Sequence, residues 1–493
     1  MSTDRFLILG LDGLRADMVT PELTPNLLRL AERGVFFRQH HAVFPTVTRV
    51  NVSSLVTGAN SGTHGIVNNS IFEPSISPHQ PLDCGQYDVV EAADVYYQGA
   101  LFSTPSLGEI LASHGDRMVA ISSGTTGSNR LMHHKVKMLG GMGFSTHGLA
   151  PCYPAADAES ILAKFGPLPE AGTPDQARLR YITDVFIDHV YPIYQPRVSI
   201  LWFSDPDKTY HYCGIGSAES LESIRAADDC LGRIMDWIPT LGQSASLNLV
   251  VLSDHGHISV RQQVRVGDAL SALGLQAGHG FYSDDKVGIV PGSPGSIHLA
   301  DHNPKLVNKI VAWMQEQPWC GSLFTAAKND VEGLSPGTFS TSLALNDHVR
   351  TGDIVFVMRS DEEMDVNGIV GGCYDDSNLA VGGGTHGGLS QHELHNVCVA
   401  YGPAFQEGKE SLLPSGTIDI MPTLIHLMGY EIPTTVDGRI LHEALSETNL
   451  QADLNVESRT YCSERTTSAG VYQQQLTTTQ VGTVTYLERG WVA

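Results

Sequence analysis

Positive charge is scarce in this chain of 493 residues. Lys and Arg number 30 against 53 Asp and Glu, a formal net charge of −23. So acidic a chain is poorly suited to coating a polyanion, which argues against binding duplex nucleic acid. Long apolar runs are also missing. No stretch reaches the roughly 18 residues a membrane-spanning helix needs. The early apolar run Phe6–Leu11 is too short for a secretory signal and ends at Asp12-Gly13. It reads as a buried strand, and the expected location is the cytoplasm. Cysteine pairing signals are absent as well. The eight cysteines stand at 84, 152, 213, 230, 320, 373, 398 and 462, and none form a CxxC pair. They are expected to be small buried hydrophobes in a reducing compartment. No internal repeat and no separating linker is visible. With 42% hydrophobic and 17% charged residues, the composition is that of a globular protein.

Several short apolar runs end in a carboxylate: Phe6 to Asp12, Val198 to Asp205 and Leu247 to Asp254. Near-continuous apolar runs of this length suit strands buried on both faces, as in a parallel sheet. Between them lie helical patterns. Thr24-Pro25 through Gly34 has a Thr for an N-cap, a Pro at the first position and a closing Gly. Ala218 to Ile238 is a second. This alternation predicts a doubly wound, mainly parallel α/β fold, with ligands beyond the carboxyl ends of the strands. The stretch 258–385 reads differently, as a polar strand (288–300), a helix (303–317) and short strands (321–327, 353–358). It is expected to be an inserted α+β cap. The catalytic core is then 1–257 with 386–450, re-entered at the buried-strand pattern Val397–Tyr401, and 451–493 is a β-rich tail.

The chemistry-bearing residues each have an ordinary alternative. Asp254-His255 offers two ligand types at a strand end, or simply a turn and a cap. Asp207 and His211 share a helical face if that segment is helical, or form a surface pair. His386 sits in a glycine loop that lets backbone approach an ion, or is a plain loop residue. Asp12-Gly13 is also an ordinary turn. Thr48 opens a helix, where its oxygen suits anion binding, nucleophilic attack or capping.

Together these residues resemble the alkaline phosphatase superfamily, in its nucleotide pyrophosphatase/phosphodiesterase branch. The matching segments are Asp12-Gly13, Pro45-x-x-Thr48-x-x-Asn51, Leu55–Gly58, His64–Val67, Asp207-x-x-x-His211, Asp254-His255-Gly256 and Thr385-His386-Gly387. Asp419–Leu424 through Pro433 to Asp437-Gly438 resembles the superfamily's C-terminal element. The resemblance covers about residues 5 to 445. It implies an alkaline phosphatase-like fold and two Zn²⁺ ions, with Mn²⁺ or Fe²⁺ as substitutes. Asp207, His211 and His386 would hold one ion, and Asp12, Asp254 and His255 the other. Thr48 would bridge to the second ion as the nucleophile, and Asn69 would donate to a phosphoryl oxygen. Thr46 is the competing threonine, and the Asn three residues on selects Thr48.

This chain also departs from the family pattern. Arg49 stands beside the nucleophile, either to contact a second anionic group or to pair with a local carboxylate. Tyr210 replaces a glycine before His211 and is expected at the mouth of the site, with Tyr212 the better candidate for the core. The polar loop Ser122–Arg130 follows a strand, and Arg130 and Lys135 are further candidate substrate contacts. The leading expectation is a zinc-dependent hydrolase of small phosphodiesters or nucleotide pyrophosphates. A phosphonoacetate hydrolase-like enzyme cleaving a C–P bond is the alternative, with Arg49, Arg130 and Lys135 as its cations. Sulfatase and cofactor-independent phosphoglycerate mutase are disfavoured, because the nucleophile position holds Thr48. A non-catalytic binder on the same scaffold would be expected to have lost ligands. The expected partner is a small phosphate ester or phosphonate, not a nucleic acid polymer or a membrane. The oligomeric state is open, a homodimer included.

Overall fold

The computed structural model describes residues 4–242, 246–278, 281, 287–446 and 454–493. The expected boundary between core and tail at 450/451 lies outside them. The centre is a ten-stranded sheet. Its strands in chain order are β1 (Arg5–Leu11), β2 (Val35–His41), β3 (Met118–Ser122), β4 (Met142–Ser145), β5 (Gly148–Tyr153), β6 (Val198–Phe203), β7 (Leu247–Leu252), β8 (His395–Tyr401), β9 (Lys409–Ser411) and β10 (Ser415–Gly416). Across the sheet the order is β9-β2-β8-β7-β1-β6-β3-β4-β5, with β10 paired to β2. The run from β7 to β4 is parallel. β8 enters antiparallel between β7 and β2, and β5 is antiparallel at the far edge.

The apolar runs are continuous because both faces of the sheet are covered. Along β1, Phe6 and Ile8 pack into one hydrophobic cluster and Leu7 and Leu9 into the other, all four fully buried. The helices divide between the same two clusters. Val50 and Leu55 of α2 (Thr48–Thr57) join the first, and Leu27 and Leu30 of α1 (Pro25–Ala31) join the second. Burying an aliphatic side chain of this size contributes about 1.5–3 kcal/mol. The doubly wound, mainly parallel expectation therefore holds.

Three local expectations change. Thr24 does not cap α1 through its side chain. The amides of Asn26 and Leu27 are instead taken by Asp228 Oδ2 and Oδ1, both at 2.9 Å. Asp228 lies on α4 (Ala218–Trp237), so a carboxylate distant in sequence stabilises the positive end of α1. The single strand expected over 288–300 is a hairpin, Val287–Val290 with Gly295–Leu299. Five of the cysteines are buried, but Cys152 and Cys213 are partly exposed and Cys462 is exposed.

Residues of the 258–385 stretch form a six-stranded sheet that includes the hairpin, Cys320–Thr325 and Ile354–Met358, with the helix Pro304–Met314 packed on it. Ile258–Gln263 starts a separate four-stranded sheet that ends on Gly384–Thr385. That pairing carries the chain back to the main sheet at His386. The tail forms an antiparallel three-stranded sheet from Val456–Thr467, Gly470–Val481 and Val484–Val492. Gln474 ties this sheet to the 258–385 stretch by bonding both backbone groups of Leu323. Among the described residues, no helix is long and apolar enough to cross a membrane.

Candidate active site

The site forms where β1, β6 and β7 end. Gly10 on β1 has no room for a side chain, because a Cβ there would lie 2.1 Å from the Trp202 ring. The indole lies over this glycine, and its Nε1 donates to Asp12 Oδ2 at 3.0 Å. Gly13 then turns the chain at φ +72°, and its N–H donates to Asp254 Oδ1 at 3.1 Å. A Cβ at Gly13 would meet His257 Nε2 at 2.7 Å. These two glycines let the three strand ends converge.

Thr48 is the first residue of α2, and the capping position is Val47, which makes no side-chain bond. The Thr48 hydroxyl therefore has no capping duty. Its Oγ1 lies 3.4 Å from Asp12 Oδ1 and 3.3 Å from His255 Nε2. Thr46 is engaged differently, its Oγ1 donating to the Gly388 carbonyl and accepting from the Gly387 N–H. Asn51 is fully buried and sets the approach to Thr48. Its amide bonds both backbone groups of Val43 and the carbonyls of Pro45 and Val47. The far end of α2 is fixed by the C-terminal element, where the Asp437 and Gly438 amides both donate to the Gly58 carbonyl. His64 is structural, its Nε2 lying 2.9 Å from Ser54 Oγ.

α3 (Asp207–Cys213) supplies the second group of residues. Its helical turn places Asp207 Oδ1 3.2 Å from His211 Nε2. His257 Nε2 and His386 Nε2 reach the same oxygen at 2.9 and 3.3 Å. His211 and His386 each turn Nδ1 onto a backbone carbonyl, of Gly384 at 2.7 Å and Thr46 at 2.8 Å. A carbonyl only accepts, so Nδ1 carries a proton and Nε2 is the nitrogen that faces Asp207; burial would lower His211, but the Asp207 charge raises it above its ordinary value. His255 is held the same way by the Gly256 carbonyl at 3.1 Å. These three Nε2 atoms face carboxylate oxygens, an arrangement that calls for a positive charge, proton or metal ion, between them.

The carboxyls give the same indication. Burial, then the Asp254 and Asp207 charges, pushes Asp12 well above the usual carboxylate range. Burial, with the Asp207 charge, pushes Asp254 up to about 7 despite the Gly13 N–H. Asp254 Oδ2 is buried without a hydrogen-bond partner. Burial would raise Asp207 too, but the surrounding imidazoles, His211 foremost, hold it well below its ordinary value. Burial pulls His255 far down and His257 to about 3. Buried carboxylates converging with imidazole nitrogens are a donor set for divalent metal ions.

A pH dependence follows. The Asp254 carboxyl titrates near 7 in the folded, metal-free chain and near 3.8 when unexposed to such burial. The folded state therefore keeps a proton that the unfolded state has released. This stabilisation is complete below the lower value and is lost as pH rises to about 7. In chelator-treated protein Asp254→Asn should raise the denaturant midpoint over the parent more near pH 8 than near pH 5, a difference between chains that leaves out the opposite pH dependence of His255 and His257.

An open cavity of about 460 Å³ lies over the site, lined by Thr48, Arg49, Asn69, Asp207, His211, Tyr212 and His386. Pro291–Pro294 and Ser377–Leu379, from the 258–385 stretch, form another wall. Two expectations about its lining are reversed. Tyr210 is fully buried, packed against the His257 ring with centroids 5.1 Å apart. Tyr212 is 73% exposed and lines the cavity. The buried face of α3 carries position 210, and position 212 projects away from it. Arg130 and Lys135 are outside the cavity lining. Arg130 is buried and paired with Glu91, and Lys135 is paired with Glu109. Local carboxylates thus engage two of the three cations on which the phosphonate alternative relied. Arg49 does line the cavity, its Nη2 donating to Thr125 Oγ1 at 3.3 Å. Among the described residues no carboxylate forms an ion pair with it. His257 was missed in the sequence, although Asp254-His-Gly-His257 carried the signal of a second histidine leaving the same strand end.

The type I phosphodiesterase / nucleotide pyrophosphatase family model matches residues 6–361. The chain belongs to this family. Among its relatives is rat ectonucleotide pyrophosphatase/phosphodiesterase family member 1, 24% identical over 255 residues. That match covers 51% of this chain but only 24% of the rat protein. Human bis(5'-adenosyl)-triphosphatase ENPP4 is 22% identical over 432 residues, 86% of this chain and 78% of that one. The fold matches murine ectonucleotide pyrophosphatase/phosphodiesterase 5, solved as an inactive variant in complex with AMP, with a TM-score of 0.59 at 18% identity. The match covers 87% of this chain and 96% of that one, which makes the architecture alkaline phosphatase-like. Within this phosphodiesterase family fold, Thr48 and the Asp/His clusters occupy the carboxyl edge of the sheet.

Proposed function

We propose that the chain is a metal-dependent hydrolase of small phosphodiesters or nucleotide pyrophosphates that acts through a covalent phospho-threonine at Thr48. One observation carries this reading: a Thr hydroxyl free of capping duty lies between Asp12 and His255 at the floor of an open cavity. Asp207, His211 and His386 would hold one divalent ion and Asp12, Asp254 and His255 another, zinc being the natural choice for N and O donors of this kind. When bound, two such ions offset the buried carboxylates, lower the pKa of a nearby hydroxyl and stabilise both the attacking and the leaving oxygen.

The chain's own residues do the rest. α2 directs the positive end of its dipole at Thr48, where phosphoryl charge collects. Asp12 Oδ1 is the nearby acceptor for the Thr48 proton. Thr48 Oγ1 bonds to phosphorus, the bond to the leaving alcohol or phosphate breaks, and water then cleaves the threonine ester. Asn69 Oδ1 accepts the Arg49 N–H at 3.1 Å, which leaves its amide NH₂ to donate to a non-bridging oxygen. Tyr212 offers an exposed ring at the rim for a base or another aromatic leaving group.

Rates on bis-p-nitrophenyl phosphate, p-nitrophenyl thymidine monophosphate, p-nitrophenyl phosphate and phosphonoacetate, each with and without chelator, test the proposal. Chelator-sensitive preference for the two diesters is expected, and preference for phosphonoacetate would contradict it. Among the described residues Arg49 forms no ion pair with a carboxylate, and it lines the cavity, so Arg49→Ala should weaken kcat/KM about 10–100-fold on substrates with a second anionic group and less on bis-p-nitrophenyl phosphate, the scale of one charge-assisted contact. Lys135→Gln should leave kcat/KM unchanged on both. Parallel kinetics on the two variants check the pair.

A further inference from the structure

A second cluster of metal-type donors lies where the tail meets the main sheet. His41 ends β2 and His395 opens β8, and the two stand opposite each other in the ladder. Glu488 comes from the last strand of the tail sheet, Val484–Val492. Its Oε2 is 3.1 Å from His41 Nε2 and 2.9 Å from His395 Nε2. The two imidazole rings meet edge-on, with centroids 4.7 Å apart.

Nδ1 of His41 lies 2.9 Å from the Ser415 carbonyl oxygen and donates to it, which leaves Nε2 to face Glu488. Two imidazole nitrogens thus converge on one carboxylate oxygen, and a positive charge, proton or metal ion, holds the three together. The His41 side chain is 1% exposed and that of Glu488 19%. Among the described residues, both ion pairs of Glu488 are with imidazoles. Burial would raise its carboxyl, yet His395 and His41 hold it far below the usual range. The design repeats that of His211 and His386, which also place Nδ1 on a backbone carbonyl and Nε2 on a shared carboxylate oxygen.

We propose that His41, His395 and Glu488 bind a divalent metal ion of the zinc class, separate from the active site, that fastens the tail sheet to the main sheet. The donor set is two imidazoles and one carboxylate, with a position left for water. Two donors of a tetrahedral zinc site lie about 3.3 Å apart, given bonds of about 2.0 Å. The two Glu488 separations need to open by only a few tenths of an ångström, and the three donor atoms all lie within 4.8 Å of one another. His395, with its side chain 36% exposed, provides the way in. The ion would join β2, β8 and the tail, a link reinforced by the Tyr486 ring stacked on His41 and the Tyr486 hydroxyl donating to Asp419 Oδ2.

The test compares the parent chain with Glu488→Gln and His395→Gln, all stripped by chelator and re-equilibrated in buffered micromolar Zn²⁺. Elemental analysis should find one equivalent less zinc in each variant, with turnover retained. Zinc should slow hydrogen exchange over 456–492 in the parent only. His395→Gln alters a partly exposed side chain, so it remains informative should Glu488→Gln fold poorly. Equal zinc content in parent and His395→Gln would overturn the proposal and leave a proton as the charge between the imidazoles and Glu488. The comparison is a difference between chains, so its outcome does not depend on how many ions the active site holds.

Discussion

Thr48→Ala is expected to lower turnover by about 10⁴-fold or more, close to 5.5 kcal/mol of transition-state stabilisation, with fold and metal content retained. The size follows from the role: without the hydroxyl no covalent intermediate forms, and only substrate binding and charge stabilisation remain. The retained fold follows from the geometry. The Thr48 side chain caps nothing, and α2 is held by Asn51 at one end and by the Asp437 and Gly438 amides at the other. Thr48→Ser should keep a measurable share of the rate. Thr46→Ala should behave differently, because Thr46 Oγ1 bonds the backbone of Gly387 and Gly388 beside His386. Its loss should loosen that loop and reduce metal retention as well as rate. Steady-state kinetics with elemental analysis of the same samples separates the two threonines.

Removing metal is expected to have an effect of similar size. Chelation should reduce turnover to background, and Zn²⁺ should restore it. Asp207→Asn should lower the rate about 10³-fold, the scale of removing one electrostatic stabiliser from a closed site, and added Zn²⁺ should not rescue it. Asp207 is the residue to change because three imidazole nitrogens converge on its Oδ1. An amide in its place cannot supply the charge that holds an ion among them. Zinc should also raise the thermal midpoint of the parent by mass action, and Asp207→Asn should lose part of that shift. A variant that recovers its rate with zinc would remove Asp207 from the site.

Much of this centre is legible in the sequence, because each candidate ligand sits at a strand or helix boundary that a local pattern marks. Asp12 follows β1, Asp254 follows β7, and Asp207 and His211 share one turn of α3. The parts that are not legible depend on contacts between distant segments. Tyr210 and Tyr212 differ only in which face of a short helix meets the core. Arg130 and Lys135 look free until Glu91 and Glu109, about 26 to 39 residues earlier, are packed beside them. Thr24 looks like a cap until Asp228 arrives from α4. Glu488 reaches His41 across 447 positions, and no local pattern in the sequence reports such a pairing.

The most direct test of the central claim, attack on phosphorus by Thr48, is the stereochemistry of the reaction. A chiral phosphorothioate diester hydrolysed by the metal-loaded protein in ¹⁸O-water reports it. Attack by Thr48 followed by attack of water inverts phosphorus twice, so the product should show net retention. Net inversion would mean that water attacks in a single step and that Thr48 is not the nucleophile.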